Sequence, residues 1–310
     1  MAEIIQKDGT WAFDGDVVRI VPGSGGKTHP VRQALGELAV PLQALAGVAF
    51  EPGRRSGRLR LKLRDGSDPL LLAADGRLPE TADPYRLTVD NDRTGVAEYF
   101  VDELRNALLL DQVPEGPVDR FLLSGPAVPV SGGGGDGTAA FDGEAIRLSW
   151  NWKAEESKST SGASTFPLAE VTGVRWLPAI GLENGHLRFT LRGRPASGPA
   201  KYDPYALDLW GLSRKEHTAV LVAAAVIARL PHPNAPRAWG DAQQDATPPA
   251  ELPASRSAVA APVPVAPAVP AADDHDVLLR RLRELGELHL AGILTEEEFS
   301  AAKQAVLKRM

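Results

Sequence analysis

WAFDGDVVRI at residues 11–20 and TAAFDGEAIRL at residues 138–148 are two versions of one short pattern. Three more pairs follow in the same order: PLQALAGVAF (41–50) with PLAEVTGVRW (167–176), RLRLKLRDG (58–66) with HLRFTLRG (186–193), and DPYRLTVD (83–90) with DPYALDLW (203–210). The spacing is 126–128 residues for the first three pairs and 120 for the last. Ordered repeats at nearly constant spacing predict one fold present twice, with a longer loop near residues 67–81 in the first copy.

Within each copy the apolar residues alternate with polar ones, as Leu59, Leu61 and Leu63 do in the first copy. A period of two indicates half-buried antiparallel strands. Asp-Gly pairs at 14–15 and 142–143, between apolar runs, indicate tight hairpins. If the repeats are structurally equivalent, two pairs of residues should lie at matching buried sites, namely Phe13 with Phe141 and Val48 with Val174.

Each copy then ends in a segment with helical spacing of apolar residues. Thr94–Leu110 places Val96, Phe100, Leu104 and Leu108 on one face, and Arg214–Leu230 is apolar on most of its surface. The run Ala219–Leu230 is shorter than the roughly 20 residues that a membrane-spanning helix needs, so it predicts a buried helix.

The strand meander with its closing helix, the FDG start, the PL...GV strand and the DPY motif resemble a bacterial family of unknown function built from tandem pleckstrin-homology-like (PH-like) domains. The resemblance spans roughly residues 8–231 and implies an α+β fold. We expect two tandem PH-like β-barrel or sandwich modules, each closed by a helix, at residues 1–112 and 138–231. Residues 113–137 form the predicted connector, and the Gly run at 132–135 predicts a flexible end.

Residues 232–272 are rich in Pro and Ala and show no periodicity, which predicts an extended, disordered linker. The last segment, 273–310, contains a Leu-rich helical pattern, the turn GILTEEEF and a second short helical pattern that starts at the capping box Thr295–Glu298. Over residues 276–309 this segment resembles the SHOCT (short C-terminal) domain, which implies a two-helix hairpin.

A hairpin of this size cannot bury enough apolar surface to be stable alone. Without Cys to cross-link it, self-association is the expected solution, and the resemblance implies the same. The alternative is a hairpin that docks back onto its own modules. The apolar residues expected at the contact are Leu278, Leu282, Leu285, Ile293, Leu294, Phe299 and Val306.

Composition restricts the function classes. A net charge of −6 argues against nucleic acid as a partner, because phosphate contacts require a basic surface. The absence of Cys excludes disulfides and Cys-based metal sites and fits a reducing compartment. The N-terminal residues carry acids where a secretory leader needs cations, so we expect no such leader and a cytoplasmic protein.

The sequence predicts neither a catalytic site nor a bound metal or cofactor. PGSGGKT at residues 22–28 resembles the end of a phosphate-binding loop, but Val21 occupies the position where that motif needs its first Gly. The His residues show no metal-ligand or triad spacing and are interpreted as structural: His29, His186, His217, His232, His275 and His289.

The one candidate binding patch is a cationic run without acids, consisting of Arg54, Arg55, Arg58, Arg60, Lys62 and Arg64. Four of these cations alternate onto one face of a predicted strand. Such a strand can simply protect a sheet edge from aggregation. It can also bind an anionic lipid, a phosphate group or an acidic protein surface.

Two functions follow from these features. The first is a non-enzymatic scaffold that self-associates through its C-terminal hairpin and presents the paired modules to a protein partner whose identity the sequence does not give. The second is a peripheral protein that binds anionic headgroups or phosphate-bearing ligands weakly through the cationic strand.

Deletion of residues 273–310 tests the scaffold directly. We expect the full-length chain to be oligomeric and the truncated chain to be monomeric, because the hairpin supplies the apolar contact. Light scattering coupled to gel filtration measures both molar masses. Monomers in both cases would contradict the scaffold hypothesis.

Overall fold

The computed structural model describes residues 1–26, 28–180, 183–194, 198–211 and 213–235. These residues belong to one compact unit with an α+β architecture of four antiparallel sheets, two in each copy of the repeat. Within these ranges no strand pairing closes the sheets of either copy into a barrel.

The first copy contains a four-stranded and a three-stranded sheet, each with strands in sequence order. The four-stranded sheet consists of β1 (Ala2–Gln6), β2 (Gly9–Phe13), β3 (Val17–Pro22) and β4 (Leu38–Pro41). The three-stranded sheet consists of β5 (Leu45–Glu51), β6 (Ser56–Leu63) and β7 (Arg86–Asp90). The helices of this copy are α1 (Pro30–Leu35), α2 (Pro69–Ala74) and the closing helix α3 (Thr94–Leu110).

The second copy repeats this order. Its four-stranded sheet consists of β8 (Val130–Gly133), β9 (Gly137–Phe141), β10 (Ala145–Trp150) and β11 (Ser164–Pro167). Its three-stranded sheet consists of β12 (Val171–Leu177), β13 (Gly185–Leu191) and β14 (Ala206–Leu209). Its helices are α4 (Glu156–Ser159) and the closing helix α5 (Ala219–Ile227).

The repeated Asp-Gly pairs form the same turn in both copies. Asp14 Oδ1 accepts hydrogen bonds from the backbone N–H groups of residues 16 and 17, and Asp142 Oδ1 does the same for residues 144 and 145. Gly15 and Gly143 adopt positive φ values of 119° and 111°, a region that disfavours side chains. The local hydrogen bonds explain both carboxylates without any catalytic role.

The predicted core positions match between the copies. Phe13 ends β2 and Phe141 ends β9, and both are buried. Val48 and Val174 occupy the same place in β5 and β12, each opposite the middle of the neighbouring strand, although Val174 is only partly buried. The repeat is therefore structural and not merely compositional.

The closing helix of the second copy joins the two copies. All residues from Ala219 to Val226 are buried, as expected for a helix that is apolar on every side. One side of α5 packs on β8, β9 and β12 of its own copy, and the other packs on α2, which is the long-loop insertion of the first copy. Residues 214–218, predicted as the start of this helix, form a 3-10 turn instead.

The predicted connector contributes a strand to the second copy. β8 lies within residues 113–137 and pairs with β9 at the edge of the four-stranded sheet. The Gly run there serves close packing, since a Cβ at Gly132 would lie 2.5 Å from the Cα of Ala219. A side chain at this position would push α5 away from the sheet.

Two His residues that are distant in sequence meet where the copies touch. His29 caps α1 by accepting from the Val31 N–H through Nδ1, so its Nε2 proton points at Nδ1 of His217, 3.2 Å away. The rings stack with centroids 5.3 Å apart. Burial, His217 and the nearby cations Arg214 and Arg32 lower the pKa of His29 to about 4, and burial lowers the pKa of His217.

In each copy a buried cation pairs with a carboxylate that also accepts a backbone hydrogen bond from the three-stranded sheet; we call this arrangement the clamp. In the second copy Lys158 is fully buried, with Nζ 2.5 Å from Asp136 Oδ2, and Asp136 Oδ1 accepts from the Asp208 N–H of β14. In the first copy Asp8 holds the matching position, where it accepts from the N–H of residue 88 in β7 and lies 3.8 Å from buried Arg32.

The last described residues, 231–235, contact the first copy. His232 lies 2.9 Å from the Gly66 carbonyl and packs edge-on against Phe121, and the side chain of Asn234 donates to the Val118 carbonyl. The remainder of the predicted linker and the predicted hairpin at 273–310 lie outside the described residues. No helix in the described part of the chain has the length and apolarity to cross a membrane.

Replacement of Lys158 by Ala should destabilise the second copy by about 3–5 kcal/mol, because it leaves Asp136 buried without its cation. Chemical denaturation followed by Trp fluorescence measures the change. Lys201→Ala is the control, since Lys201 and its partner Glu155 are solvent-exposed and screened, and it should leave the unfolding free energy unchanged. Equal stabilities for the two variants would contradict the clamp.

The His29–His217 contact should weaken in acid. Both pKa values are lowered in the folded state, so the unfolded chain takes up protons first as the pH falls below 6.5, and stability present above that pH is lost towards pH 4. The variant His29→Asn with His217→Gln keeps a helix cap but has no titrating ring. Chemical denaturation at pH 7.5 and 5.0 measures the free energy of unfolding, which should fall less between these pH values in the variant than in the parent. Equal decreases in the two proteins would refute this.

Candidate functional site

A cleft of about 920 Å³ lies over the three-stranded sheet of the first copy. Its floor is the face of β5, β6 and β7, and its walls are Thr28, His29 and Arg32 around the start of α1 and the loop residues Glu80 and Thr81. This volume is typical of a cavity that takes a small molecule or a short peptide segment.

Three of the six candidate cations line this cleft. Arg58, Arg60 and Lys62 are exposed on one face of β6, while the alternate residues of that strand point into the core. The exposed row and the buried Leu residues between them follow directly from the two-residue period of the strand.

The other three cations lie elsewhere. Arg64 donates to the carbonyls of Gly116 (2.9 Å) and Gln43 (3.1 Å), which fixes the chain after α3 to the sheet. Arg54 and Arg55 lie in the turn between β5 and β6 and do not line the cleft. The cationic run is therefore divided into a cleft row, a structural contact and an exposed turn.

The alternative explanation of the cationic strand as edge protection is wrong. β6 is the middle strand of its sheet, paired with β5 on one side and β7 on the other. Its backbone groups are already hydrogen-bonded, so its side chains have no free edge to protect.

The cleft row has no acidic partner within the described residues. No carboxylate there comes within 4.0 Å of the side-chain nitrogens of Arg58, Arg60 or Lys62. Arg86, directly opposite Arg60 on β7, is instead paired with Asp83 (2.9 Å) and Glu80 (2.7 Å).

The second copy lacks this arrangement. The residues that match the cleft row are His186, Arg188 and Thr190 on β13. Arg188 Nε lies 3.1 Å from buried Asp203, the match of Asp83. Burial and the neighbouring Arg residues lower the pKa of His186 and so disfavour its charged form.

One sequence difference accounts for the change in pairing. The residue opposite Arg188 is Ala206, whereas Arg86 stands opposite Arg60 in the first copy. In the first copy Arg86 pairs with Asp83, the aspartate of the DPY motif, and Arg60 is left without an ion pair. The second copy has no equivalent of Arg86, and Arg188 pairs with the matching Asp203. The contribution of Arg86 was missed at the sequence level, although the shared DPY motif marked its partner.

Among the described residues, the other candidates from the sequence do not form a metal site. Within the described ranges no group of three or more His, Asp or Glu side chains is placed to hold a metal ion. The residues expected at the oligomer contact lie outside the described part of the chain: Leu278, Leu282, Leu285, Ile293, Leu294, Phe299 and Val306.

Comparison with known families recovers both parts of the sequence. The model of the domain of unknown function DUF4429 matches residues 11–105 and again residues 139–227, and the short C-terminal domain (SHOCT) model matches residues 280–307. A comparison with curated proteins finds no matching relative. Because the two DUF4429 stretches cover more than half of the chain, the protein belongs to the DUF4429 family, with two copies of that domain and a C-terminal SHOCT domain.

Proposed function

We propose that this chain is a non-catalytic adaptor of two PH-like modules that binds an anionic partner in the cleft of its first copy. The PH-like interpretation is supported by the order of elements in each copy, with four strands, then three strands and then a closing helix. The binding function is supported by one observation above all, the unpaired row of Arg58, Arg60 and Lys62.

Such a row requires a reason. Three like charges on one sheet face repel each other, and a folded protein gains nothing from leaving them without an ion pair. An anionic partner relieves that repulsion and gains electrostatic attraction that is stronger in a cleft than on a flat surface. The second copy supports this reasoning. Its matching strand forms the same sheet with one Arg in place of three cations, and that Arg188 is paired with Asp203.

The expected affinity of one cleft is modest. Each exposed charge pair contributes about 0.2–1 kcal/mol, and physiological salt screens charges beyond about 8 Å. Tight binding by a single chain is therefore not expected, whereas several chains held together would bind a repeated partner through avidity.

The second proposal is self-association through the C-terminal segment, which would supply that avidity. It is supported by the SHOCT match at residues 280–307 and by the Leu-rich helical pattern of that segment. Loss of oligomers on deletion of residues 273–310 is its test.

Reversing two cleft charges tests the binding function. Arg58→Glu with Arg60→Glu should weaken binding of poly-L-glutamate or inorganic tripolyphosphate at least about tenfold, roughly 1.4 kcal/mol, and parental binding should fall as NaCl is raised. Fluorescence titration of labelled protein measures both effects.

The matched control is Arg54→Glu with Arg55→Glu, which changes the net charge equally but outside the cleft. Its affinity for either polyanion should be within about twofold of the parent's if the location of the charges, and not the total charge, determines binding. Two results would refute the proposal: neither polyanion binds the parent, or both double variants lose binding to the same extent.

A further inference from the structure

The cleft row has a regular spacing. Residues two apart on a strand are separated by about 6.6–6.8 Å, so Arg58, Arg60 and Lys62 extend over about 13 Å of β6 at their Cα positions. All three are exposed on the same side. A single phosphate group is too small to contact all three cations unless their side chains converge, which their mutual repulsion opposes.

The cleft carries only a small excess of positive charge. Its walls and floor also include Asp8, Glu51 and Glu80. Glu80 is paired with Arg86 and Asp8 with Arg32, but Glu51 is exposed directly opposite Arg58. A ligand whose charges are concentrated beside Arg58 would be repelled by Glu51, while a ligand whose charges are spread along the row would meet Glu51 only at one end.

The strand β5 beside the row leaves room for a second chain. On β5 the residues opposite Lys62 and Arg60 are Gly47 and Ala49, and a Cβ at Gly47 would meet no atom within 4 Å. The hydroxyl groups of Thr81 and Thr88 also line the cleft and can hydrogen-bond to backbone amides.

From this spacing we infer that the anionic partner is an acidic protein segment, bound in extended conformation with Asp or Glu at alternate positions. An extended peptide places alternate side chains on one face at the same 6.6–6.8 Å repeat as the cations of β6. Three carboxylates can then each meet one cation, while the intervening side chains point away from the floor. This inference rests on the proposed anion-binding function and specifies its ligand.

Two peptides of equal length and equal charge test the spacing. Both contain 11 residues with three Glu among Thr and Gly; one has Glu at positions i, i+2 and i+4, and the other at i, i+3 and i+6. The alternating peptide should bind the full-length protein at least about fivefold more tightly, because only its three carboxylates share one face and match the row. Fluorescence anisotropy of labelled peptides measures both affinities.

Two variants link that preference to the row. Arg60→Glu should abolish the difference between the peptides. Lys62→Thr introduces the residue that the second copy has at the matching position. It should weaken binding of the alternating peptide about three- to fivefold and leave binding of the other peptide nearly unchanged. Arg55→Glu in the nearby turn should preserve the preference.

The outcomes separate this inference from the function on which it rests. Equal affinity for the two peptides, or a preference that survives Arg60→Glu, would overturn the extended-peptide inference. Binding of tripolyphosphate or of phosphatidylserine vesicles through Arg58 and Arg60, with neither peptide bound, would overturn it as well but leave the anion-binding function standing. No binding of any of these probes would refute both.

Discussion

The packing of α5 between the two copies is the constraint on which the rest of the structure depends. This helix has no polar face, so neither of its sides can be left in water without a large loss of hydrophobic stabilisation. The sheets of the second copy cover one side and the inserted helix α2 of the first copy covers the other. The two copies are consequently packed together in one compact unit.

That packing also holds the candidate site. The start of α1 forms one wall of the cleft, and His29 in that wall contacts His217 in the turn that precedes α5. The contact between the copies therefore includes a residue of the cleft wall, while the floor on β5–β7 belongs to the first copy alone. The two copies have diverged accordingly: the first keeps unpaired cations on its sheet, and the second provides the buried helix against which the first is positioned.

Much of the fold could be predicted from the sequence because its signals are local. The Asp-Gly turns, the alternation in β6 and the helical spacing of Thr94–Leu110 each depend on a few neighbouring residues, and α3 has the predicted bounds. The Gly run before β9 was misleading, since Gly also permits close packing. It suggested a flexible connector where Gly132 lies against α5.

Only the part of the candidate site that depends on neighbouring residues could be predicted from the sequence. Alternation identified the row on β6, but whether that strand lay at an edge or in the middle of the sheet depends on pairing with β7, which follows more than twenty residues later. The choice of partner for Asp83, and hence the availability of Arg60, depends on Arg86 across the sheet. Such competition between side chains of different strands leaves no trace in sequence spacing.

Hydrogen exchange of the full-length chain with and without poly-L-glutamate tests the central claim, that the first copy binds and the second supports it. Bound ligand should slow exchange in β5, β6 and β7 at residues 45–51, 56–63 and 86–90, with no change in the matching strands β12, β13 and β14. Equal protection of both copies, or protection confined to the second, would contradict the division of roles derived from the pairing of Asp83 and Asp203.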